Sequence, residues 1–167
     1  VVDADVAVVV SVGLDHMEWL GPDVESIGRE KAGIFRPGRP AVCGMPQPPR
    51  SLVEVAAGLG APLRLRGRDF DLRHRADGTW DYVDPQGSLE RLPPPALEGM
   101  AQAGNAATAI AALRELAARL PLAPSAIGRG LRAVRLPGRF ARTTGPDGVE
   151  WVLDVAHNPD AAAVLAA

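Results

Sequence analysis

The chain has one cysteine, Cys43, in 167 residues. No internal disulfide can form, and this sparing use of cysteine fits a reducing compartment, so a cytoplasmic protein is expected. Aromatic residues make up only 4% of the chain, and Trp19, Trp80 and Trp151 are dispersed, giving no stacking platform for nucleic acid. Neither sign of charge dominates. Lys and Arg number 18 against 20 Asp and Glu, and a net charge of −2 argues against non-specific binding to a polyanion. The longest strongly apolar run, Val6 to Val10, is far too short to cross a bilayer, and no signal peptide is visible. Familiar chemical motifs are missing as well. There is no G-x-x-x-x-G-K-[ST] phosphate loop, no G-x-G-x-x-G after a strand, no C-x-x-C, no H-E-x-x-H and no G-x-S-x-G.

What is present is ordinary globular composition, 47% hydrophobic and 23% charged, sufficient for one good core or for one domain plus part of another. "DVAVVVSV" (Asp5 to Val12) is apolar on both faces, as in a central parallel strand. "GPDVESIGREKAGIF" reads as a helix, with Pro22 in its first turn, Asp23 and Glu25 near its positive end and Gly33 as a stop. "RPAVCG", "PRSLVEVAAGLG" and "APLRLRG" continue as strand, helix and strand, so the pattern is βαβ and a doubly wound sheet is the first expectation. Two-residue alternation broken at Asp77-Gly78 and Gln86-Gly87 then predicts a small antiparallel meander. "GNAATAIAALRELAARL" is the clearest helix, with Ala106, Ile110, Leu113 and Ala117 on one face. "APSAIGRGLRAV" is another, with Ser125 as its expected N-cap. A domain boundary is placed near Leu136-Pro137-Gly138, dividing residues 1–136 from 137–167. Two strands follow around Gly145-Pro146-Asp147-Gly148. The first residues read as the approach to a strand and the last as the inside of a helix, so a piece of a longer protein is expected.

Several side chains stand out. Asp15 and His16 follow the first strand directly, and in open α/β sheets ligands sit beyond the carboxyl ends of strands. A neutral imidazole there suits a metal or a phosphate, or simply caps a loop. Lys31 shares a helical spacing with Val24, Ile27 and Ile34. A buried ammonium is costly without a partner and its pKa falls, leaving a reactive neutral amine. The commoner alternative is a lysine that snorkels or pairs with Glu30. "WVLDVAHNPD" joins a strand, an acid, a short loop and a helix start, with Asn158 as N-cap and Pro159 in the first helical position. Asp154 there could hold a ribose hydroxyl or merely cap backbone amides, and His157 lies where a helix start attracts anions. Arg139 follows Pro137-Gly138 and could clamp a phosphate, although such an arginine is more often at the surface. Asn105 opens the alanine-rich helix, as an N-cap or as an amide that reads a base.

Taken together, "GLDHMEWLGPDVESIGREKAGIFRPGRPAV", "NAATAIAAL", "LPGRF" and "DVAHNPDAA" resemble bacterial folylpolyglutamate synthase, often bifunctional with dihydrofolate synthase, in the Mur-ligase-like superfamily. The resemblance runs over nearly the whole chain in the right order. It implies an α/β fold: the later part of a Mur-ligase-type central ATP-binding domain, plus the start of a Rossmann-like C-terminal domain. It implies that His16 ligates Mg²⁺ and that Lys31 is carbamylated by CO₂, the carbamate holding or orienting a second Mg²⁺. ATP contacts fall on Asn105 (adenine side), Arg139 (phosphates) and Asp154 (ribose side), and His157 lies near the reacting phosphates. Lys31 and His157 are thus the implied catalytic residues. One departure is visible: many relatives carry G-x-H-Q-x-x-N where this chain reads "GMAQAGN", with Ala101 in the histidine place.

The implied activity is ATP-dependent ligation of L-glutamate to dihydropteroate or a reduced folate through an acyl phosphate, by a monomer with no nucleic-acid or membrane partner. Three alternatives remain at this level. They are another Mur-like ligase acting on a peptidoglycan precursor, a non-catalytic interaction domain, and a generic nucleotide-binding α/β domain. Lacking a phosphate loop, the 167-residue chain alone is expected to be inactive.

Overall fold

The computed structural model describes residues 3–166. Three short strands, β1 (Ala7–Val9), β2 (Ala41–Cys43) and β3 (Leu63–Leu65), form a parallel sheet in the order β1-β2-β3. Ala7 pairs with Ala41 and Val9 with Cys43, then Ala41 with Leu63 and Cys43 with Leu65. The sequence pattern suggested a first strand of eight residues, but only Ala7–Val9 pairs. Between these strands run the short helix α1 (Met17–Leu20), then α2 (Val24–Ala32) and α3 (Arg50–Gly58).

The two-faced apolarity of β1 has a direct cause. Ala7, Val9, Ala41 and Cys43 point to one core with Ile27, Ala32, Leu52 and Ala56 of α2 and α3. Val42, with the half-buried Val6 and Val8, points to a second core. That second core is closed by the antiparallel meander β4 (Asp71–His74), β5 (Trp80–Val83) and β6 (Leu89–Leu92), and by α4 (Gln102–Glu115). Trp80 and Tyr82 are buried there, and the Trp80 indole donates to the Pro93 carbonyl at 2.8 Å, so its one polar atom is satisfied. The turns fall at Asp77-Gly78 and Gln86-Gly87 as the glycines suggested, with φ of 81° at Gly78 and 121° at Gly87.

Helix boundaries are set by caps. Asp23 caps α2, its Oδ1 accepting from the Ser26 amide at 2.7 Å, so Pro22 lies just outside the helix instead of in its first turn. Glu25 serves a different helix. Its two oxygens accept the Arg50 and Ser51 amides that open α3, at 3.1 and 2.7 Å. Helix α5 (Pro124–Ala133) begins at Pro124 with Ala123 as N-cap, so Ser125 is not the cap: the fixed φ of proline sets the start. The buried face of α4 is wider than the spacing suggested. Gly104, Ala107, Thr108 and Ala111 join Ala106 and Ile110, Leu113 is half-buried, and Ala117 lies exposed beyond the helix end.

Gly44, just past β2, shows how α4 reaches the carboxyl edge of the sheet. A Cβ there would lie 2.7 Å from the Val10 carbonyl oxygen and 2.8 Å from Thr108 Oγ1, so only glycine lets the helix approach this closely. Beyond Leu136, β7 (Ala141–Thr144) and β8 (Glu150–Leu153) form an antiparallel hairpin, followed by α6 (Pro159–Leu165). Asn158 caps α6, its Oδ1 accepting from the Ala161 amide at 2.8 Å, with Pro159 at the first helical position. Among the described residues, no helix is long and apolar enough to cross a membrane.

Candidate functional site

His16 sits after β1 at the N-cap position of α1, with φ 48° and ψ 42°. Left-handed backbone is uncommon outside glycine, though histidine tolerates it better than most. The imidazole makes no capping hydrogen bond, and it is the backbone carbonyl of His16 that accepts the Trp19 and Leu20 amides. The ring is therefore displayed, and the loop-capping reading of this histidine fails.

Asp15 and His16 meet the turn between β8 and α6. The Asn158 side-chain amide donates to Asp15 Oδ2 at 2.9 Å, and His157 Nε2 lies 3.3 Å from the same oxygen. His16 Nε2 is 3.7 Å from Asp15 Oδ1, and the two imidazole centroids are 5.7 Å apart. One ligand atom from each of Asp15, His16 and His157 lies within 4.8 Å of the others. Electrostatics follow the geometry. The Asn158 amide, with the two histidines, holds the Asp15 carboxyl below its ordinary range against the opposing effect of partial burial. The Val155 carbonyl facing Nδ1 at 2.8 Å, and then Asp15, raise the His157 pKa, while Arg139 works against them.

The loop that carries Arg139 is fixed by Asp154. One carboxylate oxygen accepts the Phe140 amide at 2.7 Å and the other the Ala156 amide at 2.8 Å. The Val155 amide closes the turn onto the Gly138 carbonyl at 2.9 Å. Gly138 and Phe140 both have left-handed φ, 71° and 47°. Asp154 thus acts at least as an organiser of backbone amides, and Arg139 projects from the braced turn exposed, its side chain making no hydrogen bond or ion pair among the described residues.

Lys31 lies at the edge of the buried face of α2, half-buried, with its Nζ donating to the Ser11 carbonyl at 3.1 Å. Val24 and Ile34, expected to share a buried stripe with it, are exposed, and the buried residues of α2 are Ile27, Gly28 and Ala32. Among the described residues Lys31 forms no ion pair, with Glu30 or any other carboxylate. Asn105 is exposed in the first turn of α4 and is not its N-cap, which is Ala101. Its side-chain amide donates to Gln102 Oε1 at 3.3 Å.

Asp15, His16 and His157 therefore converge, with Arg139 close enough to be felt by His157. Lys31 reaches the loop that carries Asp15 through Ser11. Asn105 lies on the α4 end that packs at the carboxyl edge of the sheet near Gly44. Sequence reasoning singled out the Asp15-His16 pair but gave Asp15 no role of its own, and it saw in Asn158 only a helix cap. The paired acids and imidazoles in "LDH" and "DVAHN" were the available signal. Their meeting across 143 residues was not.

No family model matches the chain. The dihydrofolate synthase/folylpolyglutamate synthase of Escherichia coli (strain K12) is 48% identical over 165 residues, covering 99% of this chain and 37% of that protein. The folylpolyglutamate synthase of Lacticaseibacillus casei is 34% identical over 163 residues, covering 93% of this chain and 37% of that protein. Among solved structures, the Escherichia coli FolC in complex with DHPP and ADP aligns with a TM-score of 0.86 at 47% identity, over 98% of this chain and 37% of that one. The bifunctional folylpolyglutamate synthase/dihydrofolate synthase with Mn, AMPPNP and L-glutamate bound aligns with a TM-score of 0.85 at 45% identity, over 99% of this chain and 38% of that one. The chain thus spans well under half the length of the relatives it matches.

Proposed function

We propose, on the premise that this chain belongs to the folylpolyglutamate synthase/dihydrofolate synthase family, that the full-length protein containing it is an ATP-dependent carbon–nitrogen ligase. It adds L-glutamate to dihydropteroate, to a reduced folate, or to both, in the cytoplasm. The observation that carries this reading is the convergence of Asp15, His16 and His157 at the carboxyl edge of the parallel sheet, beside the turn that displays Arg139. A generic nucleotide-binding domain has no need of it. Residues 1–136 form the later part of the central ligase domain and residues 137–167 the hinge and the start of the next, with Pro137-Gly138 at the hinge.

The donor set fits a divalent cation. The displayed His16 imidazole offers a nitrogen and the Asp15, His16 and His157 cluster contains no thiolate, so with oxygens completing the shell the site accepts a hard or borderline divalent cation such as Mg²⁺ or Mn²⁺. His16 would hold Mg²⁺ and the carbamate of Lys31 would hold or orient a second, and these ions when bound would neutralise charge on the ATP phosphates. The carbamate forms when the Lys31 amine attacks CO₂, making one N–C bond and releasing one proton. The side chain leans on a single carbonyl, that of Ser11, which leaves its nitrogen accessible to such a reaction.

In the proposed reaction an oxygen of the pterin substrate's carboxylate attacks the γ-phosphorus of ATP, and the bond to the bridging oxygen breaks to release ADP. The amine of L-glutamate then attacks the acyl carbon, phosphate leaves, and the nitrogen gives up a proton. Arg139, displayed by the Asp154-braced turn, meets the phosphates, and His157 lies beside them. Asp154 faces the ribose and Asn105 the adenine. The protein's main contribution is to hold three substrates in register.

The test is ATP-dependent phosphate release by the full-length protein with dihydropteroate, with tetrahydrofolate and with a peptidoglycan precursor, each with its amino-acid partner. Release with a pterin plus glutamate, abolished by Lys31→Ala, is expected. Release only with the precursor would keep a Mur-like ligase and overturn the folate substrate. With isotope-labelled bicarbonate, a carbamate NMR signal is expected in the wild type and absent in Lys31→Ala.

A further inference from the structure

Asn158 uses both ends of its amide. Its Oδ1 accepts the Ala161 amide and caps α6, at 2.8 Å, which turns Nδ2 toward Asp15 Oδ2, at 2.9 Å. The cap therefore fixes the direction of the donor. Asp15, in turn, sits in the loop that Lys31 ties down through Ser11, next to the left-handed His16. Its side chain is 22% exposed, against 61% for His16 and 59% for His157, so it is the inner member of the cluster. Little else holds α6 in place: among its described side chains none is buried. The Asn158 hydrogen bond, with the 3.3 Å contact of His157 Nε2 to the same oxygen beside it, thus spans 143 residues and sets where the β8–α6 turn lies against the end of β1.

We propose that Asp15 is a positioning residue, and that the Asp15–Asn158 hydrogen bond is the clasp that registers His157 and the Arg139 turn against His16 and Lys31. The inference rests on the ligase reading above. Asp15 need touch neither substrate nor metal. Its carboxylate holds the two halves of the site at one spacing, and a displacement of about 1 Å in such an arrangement costs on the order of 10²-fold in rate.

The full-length protein carries the test, with Asp15→Ala, Asp15→Asn, Asn158→Ser and the double variant Asp15→Ala/Asn158→Ser. Asn158→Ser keeps an oxygen for the helix cap but removes the amide donor. Asp15→Asn keeps an acceptor for Asn158. The expected result is that kcat falls about 10- to 100-fold in Asp15→Ala and in Asn158→Ser, and no further in the double variant, as for two halves of one contact. Asp15→Asn is expected to stay within about 3-fold of wild type, with an unchanged Mg²⁺ concentration for half-maximal rate. Hydrogen exchange of the backbone amides between residues 156 and 161, Pro159 excepted, provides a readout independent of turnover, and it should speed up in both Asp15→Ala and Asn158→Ser. Additive losses, a shift in the Mg²⁺ requirement of Asp15→Asn, or unchanged exchange in Asp15→Ala would each overturn the clasp. Absence of wild-type turnover with every pterin would instead overturn the ligase reading, while the exchange comparison would still decide the clasp.

Discussion

The stretch from Ala7 to Ala133 and the stretch after Leu136 bury their apolar residues very differently. The first folds around a sheet sandwiched by two cores, and Ile27, Val42, Leu52, Trp80, Tyr82 and Ile110 are almost wholly removed from solvent. In the second, every residue of β8 is exposed, and Trp151, Val152 and Leu153 are each about half accessible. Yet the second stretch supplies His157, Asn158, Arg139 and Asp154 to the proposed site, while the first supplies Asp15, His16 and Lys31. Stability and site chemistry are thus distributed differently. The core that holds the fold lies on one side, and the proposed site draws on both through a few polar contacts.

The contrast is broken most forcefully in the core. Trp80→Ala removes a buried ring whose indole is hydrogen-bonded to Pro93, and a loss of about 3–5 kcal/mol is expected in urea unfolding of the 167-residue chain. Trp151→Ala, at a ring 54% exposed, is expected to change stability by no more than about 0.5 kcal/mol. Equal losses would mean that the second stretch shares the core. A smaller effect separates two glycines of the first stretch. Gly44→Ala drives a methyl group against Val10 and Thr108 and should cost about 1–3 kcal/mol. Gly130→Ala in α5, where a Cβ meets nothing within 4 Å, should stabilise by about 0.4–1 kcal/mol.

The smallest effect concerns protons. His157 is held above its ordinary pKa of about 6.5 by the Val155 carbonyl and Asp15, and Asp15 is held below its ordinary value by Asn158 and the histidines. The histidine's contribution is complete below about pH 6.5 and is lost as the pH rises through its raised folded pKa. The aspartate's is complete above its ordinary value of 3.8 and is lost as the pH falls through its depressed one. NMR titration of the metal-free chain should place the His157 midpoint above 6.5, and Asp15→Asn should lower it. A midpoint indifferent to that substitution would mean the two side chains do not meet in solution.

Much of this arrangement is legible in residue types. The two-faced apolarity of Val6 to Val10 announced a covered parallel strand, Asp77-Gly78 and Gln86-Gly87 announced the meander, and Asn158-Pro159 announced the start of α6. Local rules failed where a tertiary partner decided. Glu25 looks like an ordinary first-turn acid of α2, but its carboxylate is taken by the opening amides of α3. Lys31 matches a helical spacing, but the neighbours that gave the spacing its meaning, Val24 and Ile34, face outward. At Asp154 the amide-capping alternative that the sequence offered is realised, its two oxygens accepting the Phe140 and Ala156 amides and bracing the Arg139 turn. Periodicity cannot report such contacts, because it carries no information about which distant segment will arrive.

The most direct test follows label from the substrate to the phosphate. The full-length protein would be given ATP, Mg²⁺, L-glutamate and a reduced folate or dihydropteroate whose carboxylate carries heavy oxygen, and the released phosphate would be analysed by mass. If the pterin carboxylate is phosphorylated at a site built from both stretches, the phosphate carries one heavy oxygen from that carboxylate. Lys31→Ala on one side and Arg139→Ala on the other should each suppress its release. Phosphate released without label, or turnover that survives either substitution undiminished, would contradict the account.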